Sequence, residues 1–187
     1  MSGLMITYEE KDFELEGYVD FSETGMMTIT DKGKEREIAD LPYYPDRIVH
    51  WALMLQIESV FTSHFISHTY AAIPKRGQNL AYKHLKKDIH VQSELQYALK
   101  LDIKKFFPNI NKEILKELFR KKIKDKNVLW LLDEVVDGYK LNGIPIGNYT
   151  SQYFGNYYLS FLDHYIKESL KVKFYYRYMD DMILLSD

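Results

Sequence analysis

From Tyr97 to Ile103 apolar side chains fall on alternate positions, and the run carries an acid, Asp102, at its end. A period of two over so short a run reads as a strand. Asn111 then opens a helix as a polar cap, and Ile114, Leu115, Leu118, Phe119 and Ile123 form its apolar stripe. A second helix follows with Val128, Leu131, Leu132, Val135 and Val136. After the turn-rich loop 142–148, a long helix starts at Thr150 or Ser151 and turns Phe154, Tyr157, Tyr158, Phe161, Leu162, Tyr165 and Ile166 inward. Lys173 to Tyr178 and Met182 to Leu185 read as two strands joined by Met179-Asp180-Asp181. The order β-α-α-α-β-β predicts an α+β layer.

Upstream the punctuation is denser. Gly25 to Thr30 and Glu35 to Ile38 flank Asp31-Lys32-Gly33-Lys34, a turn cluster whose glycine tolerates positive φ. Pro42 and Pro45 break the chain, and Asp46 is the expected cap of a helix through Val60. The expected inner face of that helix is Ile48, Ala52, Leu55 and Ser59 or Val60. A second break at Pro74 and Gly77 precedes a helix from about Gln78 to Ile89.

Composition narrows the class without naming a chemistry. In 187 residues, 46% hydrophobic and 28% charged, there are no cysteines, which removes disulfides and thiolate zinc sites. Charge interrupts every apolar run well before the ~18 residues of a membrane span. No leader is visible at the start, so a cytoplasmic location without membrane contact is expected.

The formal charge of −2 conceals an uneven distribution. Residues 1–40 hold four basic and eleven acidic side chains, whereas 41–187 hold twenty-one and sixteen. Lys75, Arg76, Lys83, Lys86 and Lys87 occupy a stretch free of acids, and 100–126 holds ten Lys or Arg against four acids. Either segment could meet a phosphate backbone or simply be a solvated helix face.

Asp180 and Asp181 are the sharper anomaly. Adjacent carboxylates repel, and these sit between strands fit for burial. Aspartate is common in hairpin turns, but a hairpin tip also projects carboxylates rigidly from a sheet. If the strand ending at Asp102 pairs with this hairpin, so that Asp102 lies beside Asp180, three acids meet at one sheet edge. An all-oxygen donor set suits Mg²⁺ or Mn²⁺. His64 and His68, four apart, have no local acid or third histidine and read as ordinary polar or core histidines. The aromatic positions from Tyr153 to Tyr165 read as core at helical spacing.

Tyr178-Met179-Asp180-Asp181 between hydrophobic strands resembles the catalytic hairpin of reverse transcriptases. Leu101-Asp102-Ile103-Lys104-Lys105-Phe106-Phe107-Pro108 resembles the first acidic motif of the bacterial and phage branch. Arg36 to Leu53, with Pro45-Asp46-Arg47-Ile48-Val49-His50, and Tyr70 to Gly77 are similar to that branch's upstream segments. The resemblance covers about residues 33 to 187. It implies a right-hand polymerase, with an acidic β-rich extension over 1–32, fingers over 33–95 and an incomplete palm over 96–187. That palm would have a helical part at about 111–142, and the chain would stop before a thumb.

The implied roles follow residue by residue. Asp102, Asp180 and Asp181 would be catalytic and bind Mg²⁺ or Mn²⁺, with the Ile103 carbonyl as a further ligand. Lys75 and Arg76 would meet the triphosphate, and Phe107 would underlie the sugar and reject a 2′-hydroxyl. Ile146, Gly147 and Gln152 would border the nucleotide. Ile146 and the Ser151-Gln152 ending look like diversity-generating retroelement enzymes, which copy with errors. The implied partners are an RNA template, a DNA or RNA primer, deoxynucleoside triphosphates and a retroelement accessory protein. A retron-like or phage-defence enzyme, or a non-catalytic nucleic-acid or protein-binding module, is the alternative.

Overall fold

The computed structural model describes residues 5–9, 12–16, 25–31, 34–92 and 94–187. Two hairpins come first: β1 (Met5–Glu9) pairs with β2 (Asp12–Glu16), and β3 (Gly25–Asp31) with β4 (Lys34–Asp40). The Lys32-Gly33 centre of the expected turn lies outside the described residues. The expected boundary at 32/33 falls inside the β3–β4 hairpin.

An irregular turn, Tyr43–Arg47, leads into α1 (Ile48–Thr62). Asp46 is not the cap of this helix. It is buried in the preceding turn, and Arg47 occupies the cap position without a side-chain bond to the helix. The inward face also differs from the expected one. Val49, His50, Leu53, Met54, Ile57 and Phe61 are buried, whereas Ile48 and Leu55 are exposed. Helix α1 is apolar nearly all round, so periodicity could not choose between two faces, and tertiary packing chose.

Helix α2 (Gln78–Val91) precedes β5 (Tyr97–Asp102), and the short α3 (Phe106–Asn109) leads to α4 (Lys112–Lys122) and α5 (Lys126–Asp137). Asn111 caps α4 as expected, accepting from the Ile114 N–H at 3.0 Å, and Asp125 caps α5. Of the α4 stripe only Ile114 faces water. Helix α6 (Tyr149–His164) starts one residue before the expected Thr150, with Asn148 at its cap position. It runs into a wider turn, Tyr165–Ser169, that rotates the following side chains. Ile166 is buried as expected, while Tyr165 and Leu162, expected inward, are exposed.

The core joins α1, α4, α5 and α6. Phe61 lies 4.8 Å from Tyr157 and 5.7 Å from Phe119 between ring centroids. Each such fully buried ring contributes about 1.5–3 kcal/mol. This one cluster also takes in Ile73, Phe106 and Ile110, so it runs across the 95/96 boundary.

The remaining sheet has the order β5-β7-β6, all antiparallel, with β6 (Phe174–Tyr178) and β7 (Asp181–Ser186) as a hairpin. Tyr176 and Leu185 pack with Tyr70 under α2, and Tyr175 and Met182 pack with Ile166 on the opposite face. Strand β5 is at the edge, and its alternation does not mark burial. Tyr97, Leu99 and Leu101 are 67%, 53% and 40% exposed, because the α6 side of the sheet is covered only over β6 and β7.

Gly143 closes the loop before α6 with φ +72, and an added Cβ would stand 2.1 Å from the Phe107 carbonyl oxygen. Gly143→Ala is expected to cost roughly 2–3 kcal/mol through strain and clash. Thermal melting should show a fall of about 5–10 °C for a chain of this size.

Candidate active site

The register of the sheet sets the acids. Asp102, the last residue of β5, faces Asp181, the first of β7, and the preceding pair is Leu101 with Met182. The expected neighbour of Asp102 was Asp180; the ladder puts Asp181 directly opposite, with Asp180 one residue earlier in the turn. Directly opposed residues project to the same face of a sheet, so the Asp102 and Asp181 carboxylates leave the same side. Both are exposed, and Asp180 is half-buried. Lys100, two residues before Asp102 and on the same face, places Nζ 3.5 Å from Asp181 Oδ1.

Met179 makes the turn possible by adopting φ +57, in the left-handed region that a side chain occupies only at some cost. Among the described residues no three His, Cys, Asp or Glu side chains are close enough together to hold a metal ion. Asp102, Asp180 and Asp181 are thus adjacent on the backbone without their carboxylates meeting at one point. Their donor atoms are carboxylate oxygens only, the type a hard cation takes, and Ile103 directly follows Asp102 at the end of β5.

Phe107 is placed beside this turn. Phe106 is buried and Phe107 half-buried, with ring centroids 5.2 Å apart. Both rings close on Gly155 of α6, where an added Cβ would meet Phe106 at 3.1 Å, Phe107 at 3.3 Å and the Met179 sulfur at 3.6 Å. The absence of a side chain at Gly155 thus lets the Phe107 ring and the acid-bearing turn share one spot. Gln152, exposed, lies one helical turn before Gly155 on the same side of α6.

The 143–147 loop is anchored at both ends. The Ile144 N–H donates to the Phe107 carbonyl at 3.1 Å, and the Ala39 N–H of β4 donates to the Ile146 carbonyl at 2.8 Å. Ile146 is half-buried, and Gly147 is exposed with φ +106.

The segment carrying Lys75 and Arg76 docks on the outer edge of β6. The Arg177 N–H donates to the His68 carbonyl at 2.9 Å, and the Tyr70 N–H donates to the Arg177 carbonyl at 3.0 Å. Lys75 is exposed, with φ +63. Arg76 is already engaged: its Nη1 donates to the carbonyls of Ile66 at 2.8 Å and Thr69 at 3.0 Å, closing the segment on itself. His64 and His68 act as aromatic partners, His64 stacked on His164 and His68 on Tyr176.

The sequence reading missed the polar network beneath the turn. Arg177 and Asp163 are both fully buried and paired by two hydrogen bonds, Nε to Oδ1 at 2.7 Å and Nη2 to Oδ2 at 2.6 Å. Asp163 also accepts from the Tyr175 hydroxyl at 2.7 Å and from Thr69 Oγ1 at 3.3 Å. Burial first, and the Asp163 carboxylate next, push the Tyr175 hydroxyl well above its ordinary pKa. Asn156 completes the network by donating to the Ala71 carbonyl at 2.8 Å. The signal was present in the sequence: an Arg among the strand aromatics of Tyr175-Tyr176-Arg177-Tyr178, and an Asp inside the apolar pattern of α6. Charges of opposite sign at two positions that should be apolar point to a buried pair.

The comparisons with known proteins agree with the fold. The chain is 28% identical over 158 residues to the group II intron-encoded protein LtrA of Lactococcus lactis subsp. cremoris, covering 80% of this chain and 26% of that protein. It is 24% identical over 147 residues to protein YkfC of Escherichia coli, covering 73% of this chain and 38% of that one. The chain therefore spans well under half the length of these relatives. Among solved structures, apo telomerase from Candida tropicalis, truncated from its C-terminal domain, superposes with a TM-score of 0.62 at 14% identity, covering 98% of this chain and 46% of that one. That likeness shows the α+β fold of polymerase fingers and palm. The family described as reverse transcriptase (RNA-dependent DNA polymerase) matches residues 28–187, and the chain belongs to it.

Proposed function

We propose that this chain is the fingers (33–95) and palm (96–187) of an RNA-directed DNA polymerase. It would extend a DNA or RNA primer on an RNA template with deoxynucleoside triphosphates. The observation that carries the reading is the facing of Asp102 and Asp181 at the open end of the sheet, with Asp180 in the adjoining turn. In the reaction the primer 3′-oxygen loses its proton and bonds to the α-phosphorus, and pyrophosphate leaves with the broken P–O bond. Asp102 and Asp180 would hold Mg²⁺ or Mn²⁺, with Asp181 more peripheral and the Ile103 carbonyl as a further ligand. When bound, such ions activate the attacking oxygen and stabilise the leaving one. Lys75 would contact the triphosphate, and the free edge of the Arg76 guanidinium would do the same while Nη1 holds its loop. Ile146, Gly147 and Gln152 would border the base pair being formed. The aliphatic Ile146 supports the error-prone retroelement reading over the retron-like and phage-defence ones.

Phe107 supplies the sugar filter in this reading, since its ring is held beside the turn by Gly155. Phe107→Ala is expected to raise ribonucleotide incorporation by about 10- to 100-fold, the ~1–3 kcal/mol that removing a pocket contact is worth. Primer extension with paired ribo- and deoxynucleotide titrations measures it, and unchanged discrimination would remove Phe107 from the site.

The two basic segments differ in how far their cations are paired. On α4, Lys116 pairs with Glu113 and Asp137, and Arg120 pairs with Asp133 of α5, so these cations serve helix packing. On α2, Leu80, Ala81 and Leu85 face the sheet, and the exposed side carries Asn79, Tyr82, Lys83, Lys86, Lys87 and His90. Lys83, Lys86 and Lys87 form no ion pair among the described residues. The one acid of α2, Asp88, is hydrogen-bonded by the Tyr176 hydroxyl. A row of uncompensated lysines with an exposed tyrosine suits a single nucleic-acid strand, phosphates on the lysines and a base on the ring. Replacing Lys83, Lys86 and Lys87 by Gln should weaken RNA binding at low salt. The slope of log affinity against log salt should fall by about two, at ~0.7 per phosphate contact. Filter binding across a salt series reads this directly, and an unchanged slope would exclude the face.

A further inference from the structure

We propose that Arg177 is the positioning residue of the acid-bearing turn, acting through the main-chain carbonyl of Met179. The inference rests on reading Asp102, Asp180 and Asp181 as the metal-binding acids, and it adds a group that touches neither metal nor nucleotide.

All five guanidinium N–H groups of Arg177 have acceptors. Nε and one N–H of Nη2 take the Asp163 carboxylate, and the other N–H of Nη2 takes the Asn156 carbonyl at 3.2 Å. Nη1 donates to Asn156 Oδ1 at 2.9 Å and to the Met179 carbonyl at 3.0 Å. The peptide carrying that carbonyl also carries the nitrogen of Asp180. Fixing its plane therefore fixes where the Asp180 side chain begins. Met179 sits at φ +57, a conformation the chain does not hold without help, and a charge-assisted bond from an immobile donor provides that help.

The donor is immobile because Asp163 grips it bidentately on α6 and is itself held by Tyr175 and Thr69. The same residue's backbone bonds hold the segment that leads to Lys75 and Arg76. One side chain and one backbone unit thus keep the basic segment, α6 and the acids in a common frame. Lysine cannot replace this, since a single ammonium has no fork to span Asp163 and the Met179 carbonyl together.

The test uses the 187-residue chain with Arg177→Lys, and Arg177→Met/Asp163→Leu as a second variant that removes both buried charges. Carbonyl ¹³C shifts and ¹⁵N relaxation are read at Met179, Asp180 and Asp181, and Mn²⁺ affinity is read by paramagnetic resonance titration. The expected result is a folded variant whose Met179 carbonyl signal moves and whose 179–181 amides gain motion, while Tyr176 and Met182 stay as rigid as before. Mn²⁺ affinity should fall about 10- to 100-fold, the usual loss when a group supporting a ligand is removed. An unmoved carbonyl signal and an unchanged turn in a folded variant would overturn the proposal, as would loosening spread evenly over β6 and β7. A wild-type chain that binds no Mn²⁺ would remove the acid assignment instead, and turn mobility in the variants would still decide the role of Arg177.

Discussion

Asp180→Asn is expected to abolish primer extension, with a fall of about 10³-fold or more in rate. The substitution keeps the size and the backbone of the turn and removes one formal charge from the edge where Asp102 and Asp181 face each other. Stabilising the charge that develops on a phosphoryl group in transit requires cations, and cations require the acids. Several kcal/mol of transition-state stabilisation depend on that placement, and about 4 kcal/mol already corresponds to 10³ in rate. The measurement is single-nucleotide extension in Mg²⁺ and in Mn²⁺, with RNA binding followed alongside. RNA affinity should stay close to wild type, because the substitution leaves Lys83, Lys86, Lys87 and Tyr82 in place. Extension by Asp180→Asn at wild-type rate would overturn the polymerase reading.

Asp102→Asn should behave similarly, with Asp181→Asn milder. Lys100 explains part of that order. Its ammonium already lies 3.5 Å from Asp181 Oδ1, so the protein itself partly compensates the Asp181 charge.

How much of this was legible in the sequence depends on what fixed each element. The strand ending at Asp102, the hairpin holding Asp180 and Asp181, and the cap at Asn111 are set by local chemistry. Alternation, turn residues and side-chain caps act within a few positions, so they can be read directly. Pairing of the Asp102 strand with the hairpin is the arrangement that puts these acids at one sheet edge, and the register sets Asp181 rather than Asp180 opposite Asp102.

The misreadings have a different origin. Helix α1 is apolar around most of its circumference, so its buried face was decided by Phe119 and Tyr157 on other helices. Alternation in β5 was real, but burial of its apolar side depends on what covers an edge strand. Leu162 and Tyr165 fit the helical spacing of α6, yet both stay exposed near its end because whether a position is covered depends on the neighbouring elements. In each case the missing information was long-range packing, which carries no local signature.

Arg76 and Arg177 show the same division for chemistry. The family resemblance implies a triphosphate contact for Arg76, and its Nη1 donates to the carbonyls of Ile66 and Thr69. Arg177 stood next to the motif and drew no attention, although it is the side chain that touches the turn from beneath.

The buried pair also yields the largest expected change in stability. Asp163→Leu removes the carboxylate and leaves the Arg177 guanidinium wholly buried with no counter-charge. Breaking one side of such a pair costs about 3–5 kcal/mol, a large share of the ~5–15 kcal/mol that holds a domain together. Urea denaturation should therefore show a much lower midpoint or an unfolded chain. Adding Arg177→Met to the same protein removes the stranded charge and should recover about 2 kcal/mol or more, so the double variant is more stable than Asp163→Leu alone. Recovery stays incomplete, because the Tyr175 hydroxyl and the Asn156 and Met179 carbonyls lose their partners. Additive effects of the two substitutions would show that the pair is not coupled, contrary to two hydrogen bonds below 2.8 Å between fully buried side chains.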